Sequence, residues 1–173
     1  AYDQPSLVFC NERGARRELS YRQLRAEVAR IAAGLRELGI GPGDRVAGFL
    51  PNLPESVVAM LAATSLGAGW TSCSPDFGIN GVLDRFGQVA PRVLFTADGY
   101  FYNGKTIDSL GPVRGALERL PSVERVVVIP YVAAAPDLGG FRGAVAFGEF
   151  GRAGAALEFT RVPFDAPLYV MYS

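Results

Sequence analysis

Short apolar runs alternate with helical patterns along most of the chain, and this alternation limits the fold more than any other feature. The runs at 45–50, 69–73, 92–96 and 125–129 have the length and side-chain content of buried strands. The segments between them are long enough for the crossover connections that parallel strands require. The sequence therefore predicts an α/β fold with a doubly wound, mostly parallel sheet and flanking helices.

Two of the predicted helices carry signals at their first residues. Ser20-Tyr21-Arg22-Gln23 is a capping box, in which the serine hydroxyl and the glutamine amide bond to free backbone N–H groups. The helix that follows is amphipathic, with apolar residues at Leu24, Val28, Ile31, Leu35 and Leu38. Pro54 suits the first position of a second helix, which runs to Leu66 and is apolar almost all round. That composition predicts burial on several sides.

The other segments are less regular. Two short strands are predicted at 6–11 and 17–19, a loop at 97–106, and helices at 81–89 and 113–120. Residues 130–156 are rich in Ala, Gly and Pro and predict a long connection with one short helix at 145–150. The run at 168–173 predicts a last strand. Because ligands of open α/β sheets bind beyond the carboxyl ends of strands, we expect residues 1–173 to be a single truncated domain with its chemistry downstream.

Composition excludes several classes of function. Lys plus Arg equals Asp plus Glu at 17 each, so no net charge attracts nucleic acid or anionic lipid. The chain has no histidine, which excludes histidine-dependent nucleophiles and histidine-bound zinc within it. Its two cysteines, Cys10 and Cys73, form no CxxC pair. The longest near-apolar run, 57–70, is shorter than the roughly 20 residues of a membrane span. We expect a cytoplasmic protein without a metal site, a nucleic-acid partner or a membrane partner.

One segment matches a phosphate-binding pattern. Residues 99–106 fit G-x-x-x-x-G-K-[ST], in which small residues let backbone N–H groups surround a phosphate. Here the interior is Tyr-Phe-Tyr-Asn, and Gly111-Pro112 interrupts the helix that should follow. A P-loop phosphotransferase is therefore the least favoured interpretation. Two interpretations of Lys105, the only lysine, stay open: a point charge for a phosphate, or a solvated loop residue. The turn at 74–78 either presents N–H groups to a ligand or is an ordinary proline-initiated turn.

Several segments taken together are more specific than any single motif. Four of them occur in the order typical of acyl-adenylate-forming enzymes and resemble their N-terminal region: Leu19-Ser20-Tyr21 with Leu24, Gly41-Pro42-Gly43-Asp44-Arg45-Val46, Pro51-Asn52-Leu53-Pro54-Glu55 and Leu66-Gly67-Ala68. Within that superfamily, residues 70–78, 84–88 and 98–105 are similar to the acetoacetyl-CoA synthetase family. The resemblance covers nearly the whole chain and weakens over 130–156.

The resemblance implies a two-step ligase. Acetoacetate and ATP would give acetoacetyl-adenylate and pyrophosphate with the help of magnesium, and CoA would then displace AMP. In the family the ATP loop, the adenine-binding motifs, the hinge and the catalytic lysine all lie downstream. The resemblance therefore assigns no catalytic residue and no metal ligand here, and implies that the chain is inactive without the remainder of the polypeptide.

The resemblance implies part of a CoA site. In the related acetyl-CoA synthetases, the loop aligned with Tyr102-Asn103-Gly104-Lys105 carries two arginines near the 3′-phosphate of CoA. Lys105 matches the second arginine in charge, whereas Tyr102 does not match the first. The turn Pro75-Asp76-Phe77 aligns with a Gly-Gly-Phe stretch that lines the pantetheine tunnel, with two bulkier residues in place of the glycines.

Three other functions stay open. The first is another short-chain acyl-CoA ligase of the acetyl or propionyl type, since the acyl pocket of the family lies mostly downstream. The second is a stand-alone CoA- or nucleotide-binding module. The third is the P-loop phosphotransferase already described.

Overall fold

The structure, a computed structural model, describes residues 2–172. Its elements follow one another in this order: β1 (Pro5–Cys10), β2 (Arg16–Ser20), α1 (Tyr21–Glu37), β3 (Arg45–Phe49), α2 (Pro54–Ser65), β4 (Gly69–Cys73), α3 (Ile79–Val89), β5 (Val93–Ala97), β6 (Gly99–Tyr102), β7 (Lys105–Asp108), α4 (Leu110–Leu117), β8 (Arg125–Ile129), β9 (Ala144–Ala146) and β10 (Tyr169–Val170).

A six-stranded sheet in the order β10-β4-β3-β5-β8-β9 forms the centre, and every neighbouring pair in it is parallel. Side chains of its strands alternate between two cores, as the pleat requires. Val46 and Phe95 pack with α1 and α2 on one face, whereas Phe49 and Leu94 pack with α3 and α4 on the other. The predicted doubly wound α/β fold is confirmed.

The first two helices form as their sequences predict. Ser20 Oγ accepts a hydrogen bond from the Gln23 N–H at 3.2 Å, and Gln23 Oε1 accepts one from the Ser20 N–H at 2.8 Å. These two bonds complete the capping box of α1. Helix α2 packs against α1 as well as against β3 and β4, which explains why it has no polar face.

The predicted loop at 97–106 is wrong, because this segment forms the antiparallel hairpin β6–β7. Tyr102 pairs with Lys105, which leaves Asn103 and Gly104 as a two-residue turn with φ of 49° and 75°. Both angles lie in the left-handed region that this kind of tight hairpin turn requires, and Asn-Gly is its most favourable sequence.

Two further predictions need correction. Helix α4 begins at Leu110 rather than at 113, with Pro112 inside its first turn. Proline is tolerated there because the N–H it lacks would have no partner within the helix. The short helix predicted at 145–150 is also wrong, because residues 144–146 form β9 and pair with β8.

The last strand predicted at 168–173 is shorter in the structure: only Tyr169–Val170 form β10, which pairs with β4 at one side of the sheet. Its predicted final residue, Ser173, lies outside the described residues. Exposed apolar side chains lie before and after this strand, among them Phe159, Phe164 and Met171. No helix among residues 2–172 is both long and apolar enough to span a membrane.

Candidate functional site

The order of strands reverses at one place in the sheet. The chain passes from β3 to β4 on one side, then crosses to β5 on the other side of β3. At such a reversal the segments that follow neighbouring strands turn away from each other and leave a crevice at the carboxyl edge. Residues after β3, β4 and β5 therefore define the candidate site.

A cavity of about 520 Å³ lies at this reversal, and we call it the switch-point cavity. The ends of all three strands contribute to it: 50–52 follow β3, 72–76 end and follow β4, and Tyr100 and Tyr102 lie in β6 directly after β5. Hydroxyl, amide and carboxylate groups share its wall with apolar carbon, a mixture that suits an elongated polar ligand.

A second cavity, of about 540 Å³, lies between the carboxyl ends of β4 and β10, and we call it the β10 cavity. It shares 72–74 with the switch-point cavity. Its remaining lining combines apolar side chains with one cation, Arg85 of α3. The end of β4 is thus the common wall of both cavities.

Polar groups of the β1–β2 turn hold the tip of the β6–β7 hairpin. The Glu12 carboxylate accepts hydrogen bonds from the N–H groups of Asn103 and Gly104, both at 2.9 Å. Arg13 donates to the Gly104 carbonyl at 2.9 Å, and its guanidinium lies 5.1 Å from the centre of the Phe101 ring. Arg13 thus brings a second positive charge to the tip that carries Lys105.

The structure brings together only some of the predicted site residues. Pro75, Asp76 and Tyr102 line the switch-point cavity, whereas Phe77 lines the β10 cavity. The turn residues Asn103 and Gly104, together with Lys105, lie exposed at the hairpin tip, outside the lining of either cavity. Tyr102 joins the two places, because it lines the cavity and also begins the turn.

The geometry at 99–106 is not that of a P-loop. Such a loop needs consecutive free N–H groups followed directly by a helix. In this segment the N–H groups of Asn103 and Gly104 are bonded to Glu12, and Lys105 begins strand β7. The phosphotransferase interpretation therefore loses its structural basis.

Two side chains between or beside the cavities stay neutral. Burial raises the pKa of the Cys73 thiol to about 12, with the nearby Arg85 opposing that change and Asp76 adding to it. Burial, followed by the charge of Asp76, raises the pKa of the Tyr100 hydroxyl. The thiol is therefore a weak nucleophile, and the phenol remains a hydrogen-bond donor at neutral pH.

Reasoning from the sequence missed Asn52, Tyr100 and Arg85. Asn52 and Tyr100 could have been found from topology, since both follow strands that end at the reversal. Arg85 carries no such signal, because it lies inside α3. Within residues 2–172 no group of three or more Cys, Asp or Glu side chains is arranged to hold a metal ion.

The sequence profile described as AMP-binding enzyme matches residues 1–173. The chain belongs to the AMP-binding enzyme family. Among curated relatives of this family, acetoacetyl-coenzyme A synthetase of Rhizobium meliloti is 44% identical over 174 residues, which are 97% of this chain and 26% of the relative. Acetoacetyl-CoA synthetase of Macaca fascicularis is 43% identical over 90% of this chain and 24% of its own length.

A solved structure of an acetoacetyl-CoA synthetase has the same fold as this chain over the residues that match. Acetoacetyl-CoA synthetase from Streptomyces lividans superposes with a TM-score of 0.91 at 45% identity, over 99% of this chain and 26% of that one. The chain thus spans about a quarter of the length of the relatives it matches.

Proposed function

We propose that this chain is the N-terminal part of an AMP-forming ligase that joins acetoacetate to CoA. The observation that carries the proposal is the 45% identity and 0.91 TM-score, over 99% of the chain, to a protein named acetoacetyl-CoA synthetase. In the first step ATP would convert the acetoacetate carboxylate into an acyl-adenylate and release pyrophosphate. In the second step the CoA thiol would attack the acyl carbon and release AMP.

The part of the site that we assign to this chain is the path of CoA. The switch-point cavity has the mixed polar and apolar wall that a pantetheine chain needs, and Pro75, Asp76 and Tyr102 belong to that wall. Tyr102 leads directly from the cavity to the hairpin tip. There Lys105 would hold the 3′-phosphate of CoA, with Asn103 and Gly104 shaping the turn.

Two cations, Lys105 and Arg13, and one carboxylate, Glu12, lie at the tip, so an excess of positive charge remains there for a phosphate. Arg13 supplies a guanidinium at the turn, where the acetyl-CoA synthetases have an arginine in place of Tyr102. Glu12 occupies the two N–H groups of the turn, so Lys105 and Arg13, rather than the backbone, are the groups left for an anion. Phe77 would meet the thiol end of CoA from the β10 cavity.

ATP and magnesium complete the proposed reaction, and we assign neither to a residue of this chain. ATP would supply the α-phosphorus that the carboxylate attacks, and magnesium would offset the charge of its phosphates. The chemistry of both steps would then depend on the remainder of the polypeptide. The residues described here would bind and orient CoA, with the Cys73 thiol and the Tyr100 hydroxyl as neutral groups of the wall.

The full-length protein tests the proposal directly. With acetoacetate, ATP, magnesium and CoA we expect stoichiometric AMP, pyrophosphate and acetoacetyl-CoA, measured by chromatography and mass spectrometry. Replacing acetoacetate by acetate or propionate should reduce the rate. A faster reaction with either acid would make this another short-chain acyl-CoA ligase. Formation of ADP instead of AMP would overturn the proposed acyl-adenylate route, and absence of acetoacetyl-CoA would overturn the ligase proposal.

Lys105→Met in the full-length protein tests the CoA contact. We expect CoA binding to weaken about 10- to 150-fold, the loss typical of one charged hydrogen bond, while acetoacetate-dependent pyrophosphate exchange stays unchanged. Arg119→Met is a matched control, because it removes an exposed positive charge between α4 and β8, at the opposite edge of the sheet. Equal CoA dependence in both variants would remove Lys105 from the site.

A further inference from the structure

Arg85 of α3 lies between two aromatic rings at the wall of the β10 cavity. Its guanidinium carbon is 3.9 Å from the centre of the Phe77 ring and 5.6 Å from the centre of the Tyr172 ring. None of the ion pairs formed among residues 2–172 includes Arg85. Its charge is therefore directed to aromatic faces rather than to a carboxylate.

The two rings belong to different segments of the candidate site. Phe77 lies in the turn 74–78 that follows β4, and Tyr172 follows β10. The Tyr172 hydroxyl donates to the Arg85 carbonyl oxygen at 3.2 Å and lies 2.8 Å from the Thr71 hydroxyl of β4. The Arg85 guanidinium thus contacts the turn and the end of β10 through the two rings, and its carbonyl oxygen holds the end of β10 a second time.

The sequence leaves room for this stack at Gly81. A Cβ atom there would lie 3.1 Å from Phe77 Cβ, 3.2 Å from Phe77 Cδ1 and 3.3 Å from Arg85 Nη1. These distances are shorter than ordinary contacts, so a Cβ at this position would shift the ring and the guanidinium by a few tenths of an ångström. The absence of a side chain one helical turn before Arg85 is what allows the close approach.

We propose that Arg85 is a positioning residue, whose guanidinium holds the turn 74–78 against the end of β10 and so fixes the turn residues that line each cavity. That this positioning affects the binding of CoA rests on the proposed function. Pro75 and Asp76 line the switch-point cavity, and the next residue, Phe77, packs against Arg85 in the β10 cavity. Release of Phe77 would therefore move the residues that we assign to the path of CoA.

Three variants of the full-length protein test the role: Arg85→Gln, Arg85→Lys and Gly81→Ala. Hydrogen exchange at the amides of 76–78 should quicken in Arg85→Gln, and kcat/KM for CoA should fall about tenfold, the loss expected for one cation–aromatic contact. Pyrophosphate exchange should keep its rate. Arg85→Lys should restore part of the CoA dependence. Gly81→Ala, which keeps the charge but shifts the stack slightly, should change both measurements in the same direction as Arg85→Gln and by less.

Arg114→Gln is the matched control, because its guanidinium also lies over a ring, that of Phe141 at 4.6 Å, but on α4 away from both cavities. It should change neither measurement. Unchanged exchange at 76–78 in Arg85→Gln, or quicker exchange that extends equally to β8 and β9, would overturn the proposal. If the wild-type protein makes no acetoacetyl-CoA but the turn still loosens, the proposed function fails and the positioning role stands.

Discussion

The Asp98 side chain connects the end of β5 to the segment that follows β8. Its nearly fully buried carboxylate accepts hydrogen bonds from the N–H groups of Tyr131, Val132 and Ala133 at 2.8–2.9 Å. These bonds tie the end of β5 to the segment after β8. We expect Asp98→Ala to lower the free energy of unfolding by about 3–5 kcal/mol, because three donors lose a charged acceptor. Urea denaturation measures this loss.

Asp137→Ala is the control for Asp98, since it also removes a bonded carboxylate but at an exposed ion pair with Arg114. Its cost should be less than about 1 kcal/mol. Similar costs for the two variants would show that the three N–H groups find other partners.

The two cysteines make a second comparison between single residues. Cys10 is exposed, whereas Cys73 is buried and its thiol has a pKa raised to about 12 from 9.0. The folded state disfavours the Cys73 thiolate, so its contribution to stability is complete below pH 9 and is lost as the pH rises toward 12. At pH 8 we expect iodoacetamide to label Cys10 and to leave Cys73 unlabelled until the chain unfolds. Mass spectrometry of peptides distinguishes the two sites, and equal labelling in the folded state would contradict the assigned burial.

Two exposed glycines, Gly87 and Gly104, have different backbone conformations, so replacing each by alanine should change stability in opposite directions. Gly87 in α3 and Gly104 in the β6–β7 turn both have open space where a Cβ would stand, but only Gly104 has a positive φ, of 75°. Gly87→Ala should raise the free energy of unfolding by about 0.5–1 kcal/mol through helix propensity. Gly104→Ala should lower it by about 1–2 kcal/mol through left-handed strain. Chemical denaturation of the two variants checks the opposite signs, and equal signs would contradict the turn geometry.

The elements that the sequence predicts well are those stabilised by interactions between residues close together in the sequence. Helix α1 begins where its capping box places it, since both partners of that box lie within four residues. Strand β9 was missed because residues 144–146 are ordered by pairing with β8 across a long connection, and their own sequence carries no strand pattern. The hairpin β6–β7 had a local signal, Asn103-Gly104, that the match to a phosphate pattern obscured.

The candidate site could be predicted only in part for a similar reason. The resemblance named the turn 75–77 and the segment 102–105, but their separation depends on how β4 and β6 lie around the reversal of strand order. No spacing in the sequence could show that Lys105 lies beyond the cavity that Tyr102 lines, or that Glu12 and Arg13 reach the same turn. Those contacts join residues about 90 positions apart.

At the scale of the whole molecule, the open side of the sheet determines how the 173-residue chain behaves when produced alone. Strand β10 pairs on one side only within the described residues, and we call the exposed side chains beside it the apolar strip: Phe159, Phe164, Leu168, Tyr169 and Met171. An unpaired edge next to exposed apolar surface favours association between copies. We expect the sedimentation coefficient of the isolated chain to rise with concentration, and Phe164→Ser with Met171→Ser to reduce that rise. Val8→Ser, which removes an exposed apolar side chain on β1 outside the strip, should leave it unchanged. A monomer at every concentration would show that the strip is covered in solution by the chain itself.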